Sequence, residues 1–277
     1  VDHVIEFNCW ATTNKIANKR AIWLEKLFIN SAFAFELKGA ERFLKNEIRS
    51  ELSENLAIMS IDIIYQDPIT SFLELNTTFN FDPDLTDISL QGMQTNVSNK
   101  INEFFTTNLN KFGKVFRRSL LLTQIDDIST SILNSKMEVK VQQRLVPSIG
   151  TTLSYKINFP IVIASPDDEN HTVTSSKFTF NGRSCNIKNL LKTNTLQILN
   201  DAGTVEAENI GSYTATDGRI DLVGFNPTGV DGDSIKFSVT PANQSTIRPL
   251  RNFILDIDKT RSQALGVIDF QNTLTTL

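Results

Sequence analysis

The segment from Leu85 to Leu145 restricts the fold more than any other part of this sequence. Its first half carries apolar residues mostly three or four positions apart, the spacing of one stripe of a helix. These residues are Ile88, Leu90, Met93, Val97, Ile101, Phe104, Phe105 and Leu109. Thr86 or Asp87 is placed to cap the start of this helix, and Gly113 is placed to end it.

Two further elements follow in the same segment. A shorter apolar run predicts a second helix, and strict alternation of apolar with polar residues then predicts a strand with one buried face. The run contains Phe116, Leu120, Leu122 and Ile125, and the alternation contains Met137, Val139 and Val141. We therefore expect a helix pair within residues 87–127 that packs on a sheet.

Alternating apolar residues predict strands on both sides of this helix pair. The predicted strands cover residues 1–11, 33–37, 56–65, 72–81, 153–163 and 253–257, and a further helix is predicted over 14–31. The strands do not alternate regularly with helices, so a doubly wound sheet is disfavoured. The predicted fold class is α+β, with helices packed on sheets and an inserted all-β module.

The inserted module follows from a change in composition after Pro166. Gly, Asn, Asp and Thr become frequent there and helical spacing disappears, while Asn181-Gly182 and the stretch 200–203 predict tight turns between short strands. The sequence therefore predicts three domains. They are a small α/β domain at 1–55, a central domain at 56–165 plus 246–277, and an all-β insertion at 166–245.

Composition excludes some functions and leaves others open. The net charge of −4 disfavours nucleic acid as a partner, since phosphate binding requires a basic surface. No apolar run approaches the roughly 20 residues of a membrane-spanning helix, and no signal peptide is recognisable. Cys9 and Cys185 are expected to be free thiols, although one disulfide between them is possible. Because the chain starts at Val1, we expect a fragment of a longer protein.

The sequence contains no recognisable catalytic or cofactor-binding motif. His3 and His171 have no partner at metal-ligand spacing. Asp82, Asp84 and Asp87 are expected to favour the positive end of the helix, and calcium binding is the alternative. We therefore expect no enzyme activity, no cofactor and no metal.

A small basic patch offers the main candidate for contact with a partner. It consists of Lys111, Lys114, Arg117 and Arg118, around the turn between the two predicted helices. The patch can contact an acidic partner, but cations near a helix C-terminus are also stabilised locally.

Three short motifs follow one another along the chain. The turn Phe112–Ser119 contains Gly, two positions, Phe and then Ser, Asp217–Leu222 contains Gly-x-Ile-x-Leu, and Pro249–Ile257 contains Pro-x-Arg-Asn-x-Ile-Leu. In this order the motifs resemble those of the baseplate J-like family of contractile phage tails. Within such tails, the chain resembles a C-terminal fragment of the large baseplate wedge subunits of T-even-type bacteriophages.

The resemblance implies a structural virion component rather than an enzyme. Such wedge subunits dimerise, and copies in neighbouring wedges join with other wedge proteins into a ring around the tail hub. The implied location is the tail baseplate, assembled in the cytoplasm of the bacterial host. Candidate contact residues are Trp23, Leu27 and Phe28 in the first helix, together with the basic patch, although each is also compatible with core packing.

Two other functions remain possible at this point. A receptor-binding or carbohydrate-binding tail module would use the all-β insertion, but Tyr213 is the only Tyr or Trp within Pro166–Pro241, which leaves few aromatic platforms. A tail hydrolase is disfavoured by the lack of a catalytic motif.

Overall fold

A computed structural model describes residues 4–7, 63–66, 69–249 and 253–270, with the first two segments as backbone only. The chain divides into two compact units, Val1–Pro68 and Ile69–Leu277. In the first unit, β1 (Val4–Phe7) pairs antiparallel with β2 (Ile63–Gln66). The helix predicted at 14–31 and the strand predicted at 33–37 lie outside the described residues, as do His3 and Cys9.

The described residues of the second unit form strands and two helices. The helices are α1 (Leu90–Asn108) and α2 (Arg118–Asp126), and a short 3-10 turn covers Pro83–Leu85. The strands are β3 Ile69–Phe81, β4 Phe116–Arg117, β5 Ile132–Leu145, β6 Leu153–Asn158, β7 Val173–Ser175, β8 Phe178–Phe180, β9 Arg183–Asn189, β10 Thr195–Asn200, β11 Val205–Thr214, β12 Arg219–Phe225, β13 Gly229–Val230, β14 Ile235–Val239, β15 Thr246–Ile247, β16 Phe253–Ile257 and β17 Gln263–Ile268.

Thirteen of these strands form one large mixed sheet. Its main path runs β16-β3-β5-β14-β7-β9-β10-β11-β12-β6, with β17 also on β3 and β8 joining β9 to β13. The long central pair is β3 with β5, antiparallel from Phe72 opposite Gln142 to Phe81 opposite Ile132. β14 then pairs antiparallel with the second half of β5.

The predicted α+β fold class is wrong, because the described part of the chain is mostly β, with 47% strand and 16% helix. The apolar stripe of α1 led to a prediction with helices as a main part of the fold. Among the described residues, however, only α1 and α2 are α-helices. Strands from the predicted insertion hydrogen-bond directly into the central sheet through the β14–β5 pairing. The predicted boundaries at residues 166 and 246 stay a prediction.

The two helices cover the face of β3 and β5 that carries the odd-numbered side chains. Met93, Val97, Ile101 and Phe105 of α1 are buried there, as are Leu121 and Ile125 of α2. Phe104, Phe105 and Phe116 form an aromatic cluster, with the rings of Phe105 and Phe116 stacked at a centroid distance of 6.1 Å. Burial of this apolar stripe holds the helices on the sheet.

The ends of α1 differ from the predicted ones. Ser89, rather than Thr86 or Asp87, caps the helix through a 3.2 Å hydrogen bond from the Gly92 N–H to the Ser89 Oγ. The helix ends at Asn108 with Leu109 as its C-cap, so Gly113, at φ +70°, lies in the turn beyond it. In α2, Leu120 is 48% exposed, and the buried side chains are those of Leu121 and Ile125.

Several local predictions are confirmed. Asn181 and Gly182 both have positive φ, 49° and 74°, and form the tight turn between β8 and β9. β10 and β11 are joined by the turn at 200–203, and the strand predicted at 253–257 is β16. The strand predicted at 153–163 stops at Asn158, close before Pro160, which has no N–H to donate to a ladder.

Both β16 and β17 pair in parallel with the same edge of β3, one after the other. β16 pairs with Ile69–Leu73 and β17 with Asn76–Phe81. The loop between them passes Asp258, whose N–H donates to the Leu73 carbonyl at 3.0 Å. β17 was not predicted from the sequence.

No helix in the described ranges is long and apolar enough to span a membrane.

Candidate interaction surfaces

The predicted basic patch lies on the turn between α1 and α2, and the structure adds one residue to it. Lys111, Lys114 and Arg117 are exposed. β4 pairs with β15, with Arg117 opposite Thr246 and Phe116 opposite Ile247. This pairing brings the exposed Arg248 beside Val115. Sequence spacing could not have shown this, because more than 120 residues separate β4 from β15.

In the structure, the basic patch is redefined as the four exposed cations Lys111, Lys114, Arg117 and Arg248, without Arg118. Among the described residues, none of them forms an ion pair with Asp or Glu. Surface cations without a nearby carboxylate are available to an acidic partner, and such charges mainly affect association rate and specificity.

Arg118, predicted as part of the same surface, has a different role. Its guanidinium donates to the Met137 carbonyl at 3.3 Å and to the Ser245 Oγ at 3.4 Å. Its N–H donates to the Ser245 carbonyl at 3.0 Å. Nearby, the Gln244 Oε1 accepts from the Val139 N–H at 3.2 Å. Arg118 and Gln244 therefore occupy the part of the β5 edge that β14 leaves unpaired.

The other predicted contact residues, Trp23, Leu27 and Phe28, lie outside the described residues. Of the acidic residues before α1, Asp82 is buried, and its Oδ1 accepts from the Asp84 N–H at 3.0 Å at the start of the 3-10 turn. Asp84 and Asp87 are exposed. Within the described residues, no group of three or more His, Cys, Asp or Glu side chains is placed to hold a metal ion.

A cluster of charges with two buried carboxylates lies on the sheet face opposite α1, and no sequence pattern predicted it. We call it the ionic cluster, and it contains Glu74, Arg144, Lys236, Asp258 and Arg261. These five residues come from four separate parts of the chain. The sequence offers no signal for the cluster, because the alternation of Leu73, Glu74 and Leu75 places Glu74 on the polar face of its strand.

Asp258 is the centre of the ionic cluster and is only 2% exposed. Its Oδ2 accepts from Lys236 Nζ at 2.6 Å and from Gln142 Nε2 at 2.8 Å, while its Oδ1 accepts from the Thr260 hydroxyl at 2.6 Å. Burial by itself would raise the pKa of Asp258. The hydrogen bonds from Lys236, Thr260 and Gln142 outweigh burial and hold the pKa well below its usual range.

Glu74 completes the ionic cluster beside Asp258. Its Oε1 accepts from Gln142 Nε2 at 2.6 Å, from the Ser238 hydroxyl at 2.5 Å and from Arg261 Nε at 3.0 Å. Gln142 therefore bridges both carboxylates with one amide nitrogen. The cluster fixes the loop between β16 and β17 onto β3, β5 and β14, which is a structural arrangement.

A groove of about 240 Å³ lies beside the free part of the β5 edge, and ionisable side chains line it. His171 is held there by its Nδ1–H, which donates to the Asn189 carbonyl at 2.7 Å. Asp167 accepts N–H groups of Glu169 and Asn170, which lower the pKa of its carboxyl. Both side chains are therefore engaged in fixing the loop that lines the groove.

Tyr213 of β11 and Cys185 of β9 are both buried. Tyr213 is 1% exposed and its ring is therefore not available for stacking on a sugar. Cys185 is a free thiol, as predicted, and its burial in the structure raises its pKa.

Within its described residues, the second unit is thus a β-sheet domain with two helices packed on β3 and β5 and a basic surface that forms no ion pair, and its polar clusters serve structural roles. Residues 70–144, which include β3, both helices and most of β5, match the family described as baseplate structural protein gp6, C-terminal domain III. A search of curated proteins finds no match to the chain.

The family match supports a structural component of a phage tail baseplate, located in the virion and in contact with other baseplate proteins. This agrees with the expectation of a structural phage protein, and the family suggests a role other than catalysis. The match covers the part of the chain that carries α1, α2 and most of the basic patch. The likeness to the baseplate J-like family is not confirmed by it.

Proposed function

We propose that this chain is a wedge subunit of a contractile tail baseplate, which dimerises and joins neighbouring wedges into a ring around the tail hub. The observation that carries the proposal is the match of residues 70–144 to a baseplate structural domain. The subunit is made in the bacterial host and assembles there with other wedge proteins.

The basic patch supports a role in joining subunits. It lies within and beside the matched segment, and its cations have no acidic partner among the described residues. A ring requires each subunit to present at least two contact surfaces, because one surface is sufficient only for a closed dimer. The basic patch is assigned to the contact with an acidic surface of a neighbouring wedge protein.

Light scattering on the purified 277-residue chain tests the dimer. We expect a dimer or larger species at tens of micromolar, roughly the concentration at which interfaces of micromolar affinity are populated. A strictly monomeric species at that concentration would contradict dimerisation.

Charge-neutral variants of the basic patch test the contact between wedges. The triple variant Lys111→Gln, Lys114→Gln and Arg117→Gln is expected to keep the dimer but to reduce the fraction of closed baseplates. Electron microscopy of phage that carry the variant gene gives this fraction. The matched control removes three cations elsewhere, Lys156→Gln, Lys177→Gln and Lys192→Gln. Equal loss of closed baseplates in both triples would refute a specific role for the basic patch.

A further inference from the structure

β17 is an outer strand of the sheet whose free edge lacks the usual protection against pairing. Among the described residues it pairs only with β3. Its sequence, Gln-Ala-Leu-Gly-Val-Ile, contains no charge and no proline. Natural edge strands usually carry a charge, a proline or a bulge that blocks further pairing. Arg118 and Gln244 occupy the free edge of β5, whereas no side chain in the described part of the chain is recorded in a hydrogen bond with the outer edge of β17.

The ladder with β3 determines which backbone groups of β17 point outward. The N–H of Asp269 donates to the Phe81 carbonyl at 2.9 Å, so the odd-numbered residues direct their peptide groups toward β3. The even-numbered residues Ala264, Gly266 and Ile268 therefore direct their N–H and C=O groups away from the sheet. These groups are available to an added strand.

Apolar side chains on β17 are exposed on both faces. Leu265 is 54% and Val267 46% exposed on the face away from α1, and Ile268 is 53% exposed on the other face. A Cβ on Gly266 would lie 2.4 Å from the Leu90 side chain, which shows that α1 approaches the edge closely at this glycine.

The side of α1 next to this edge is polar but uncharged. Lys100 and Glu103 are the only charged residues of α1, and they pair with each other at 2.8 Å. The hydroxyls of Thr95 and Ser98 donate to carbonyls of their own helix, at 3.0 Å and 2.8 Å. Ser98 and Asn102 line a small cleft together with Gln263 of β17, and Lys259 of the loop before β17 is the one charged residue of its lining. A surface depleted of charges is typical of the central part of a protein interface.

We infer that β17 pairs antiparallel with β17 of a second copy, so that two sheets join across a two-fold axis at Gly266. The pairing is self-complementary. Ala264 lies opposite Ile268 of the partner subunit, and Leu265 lies opposite Val267 of the partner subunit. Gln263 lies opposite Asp269 of the partner subunit, so no like charges meet. The outward groups of residues 264, 266 and 268 then supply about six hydrogen bonds between the copies. The inference rests on the proposed dimer and names its contact surface.

Variants at the edge test this pairing on the full chain by sedimentation velocity. The double variant Leu265→Lys and Val267→Lys places like charges opposite one another and is expected to weaken dimerisation by at least about tenfold. Ala264→Pro removes an outward N–H that the β3 ladder does not use, so it is expected to block the added strand while the fold is kept. The control is Val223→Lys, an exposed apolar residue of β12 that lies between two paired strands.

The outcomes separate this inference from the proposed function. Loss of the dimer in both edge variants, with an unchanged circular dichroism spectrum and a dimeric control, supports pairing through β17. A dimer that persists in the edge variants overturns the pairing and leaves the proposed dimer intact. A monomeric wild-type chain overturns both the proposed dimer and the pairing.

Discussion

Substitution Asp258→Asn removes the charge at the centre of the ionic cluster without changing the size of the side chain. The carboxylate loses its charge-assisted bonds to Lys236 and Gln142, at 2.6 and 2.8 Å, and the new amide places a donor against a donor. Breaking a buried ion pair costs about 3–5 kcal/mol. The lower end applies here, because the Lys236 side chain is 22% exposed and keeps its bond to Thr260.

We therefore expect Asp258→Asn to lower the free energy of unfolding by about 3 kcal/mol. For a domain of about 200 residues this corresponds to a decrease in Tm of about 6–12 °C. Urea unfolding monitored by circular dichroism gives the difference, provided that the slope with urea is unchanged. The matched control is Asp221→Asn, which disrupts the half-exposed pair with Arg219 and is expected to cost no more than about 1 kcal/mol.

The same carboxylate predicts a dependence of stability on pH. The pKa of Asp258 is lowered by folding, so below about pH 4 the unfolded chain binds a proton that the folded chain does not. Stability contributed by Asp258 is therefore present above the unfolded pKa and is lost progressively as the pH falls toward the folded value. Asp258→Asn should reduce the slope of stability between about pH 4 and pH 2. An unchanged slope, or a loss of stability equal to that of Asp221→Asn, would refute the assigned role of the ionic cluster.

Two further predictions concern close packing at Gly211 of β11 and Cys185 of β9. Gly211 has φ +153°, and a Cβ there would lie 2.0 Å from the Asp221 carbonyl oxygen. We therefore expect Gly211→Ala to lower the free energy of unfolding by about 3 kcal/mol or more, measured by urea unfolding. The control Gly203→Ala should cost less, because no atom lies within 4 Å of its Cβ. The buried Cys185 thiol, with its raised pKa, should react with a thiol reagent only at the rate of unfolding; rapid reaction under native conditions, in a Cys9→Ser chain, would contradict its burial.

Local patterns in the sequence predicted the elements whose conformation is decided by near neighbours. The stripe of α1, the alternation of β3 and β5, and the Asn181-Gly182 turn each carry their signal within a few residues. β17 was missed because apolar residues occupy both of its faces, so strict alternation is absent. The fold class was wrong because the number of strands that join one sheet depends on pairings such as β14 with β5, which periodicity does not contain.

In the candidate surfaces, too, the sequence predicted local features and missed those that depend on distant segments. The cations at 111–118 are visible as a charged run, but Arg248 joins them only through the pairing of β15 with β4, and Arg118 leaves them through its bonds to Met137 and Ser245. The ionic cluster depends on four distant segments, and its carboxylates carry no distinctive spacing in the sequence.

The parallel placement of β16 and β17 on β3 has a consequence for how the protein forms on the ribosome. The Leu75 N–H donates to the Ser262 hydroxyl across a separation of 187 residues. During synthesis, one side of β3 therefore stays open until nearly the whole sheet has emerged. At rates of about 5–20 residues per second, that interval lasts on the order of ten seconds or more. Nascent chains are then exposed to mispairing with one another, so yield should improve when a holding chaperone is abundant.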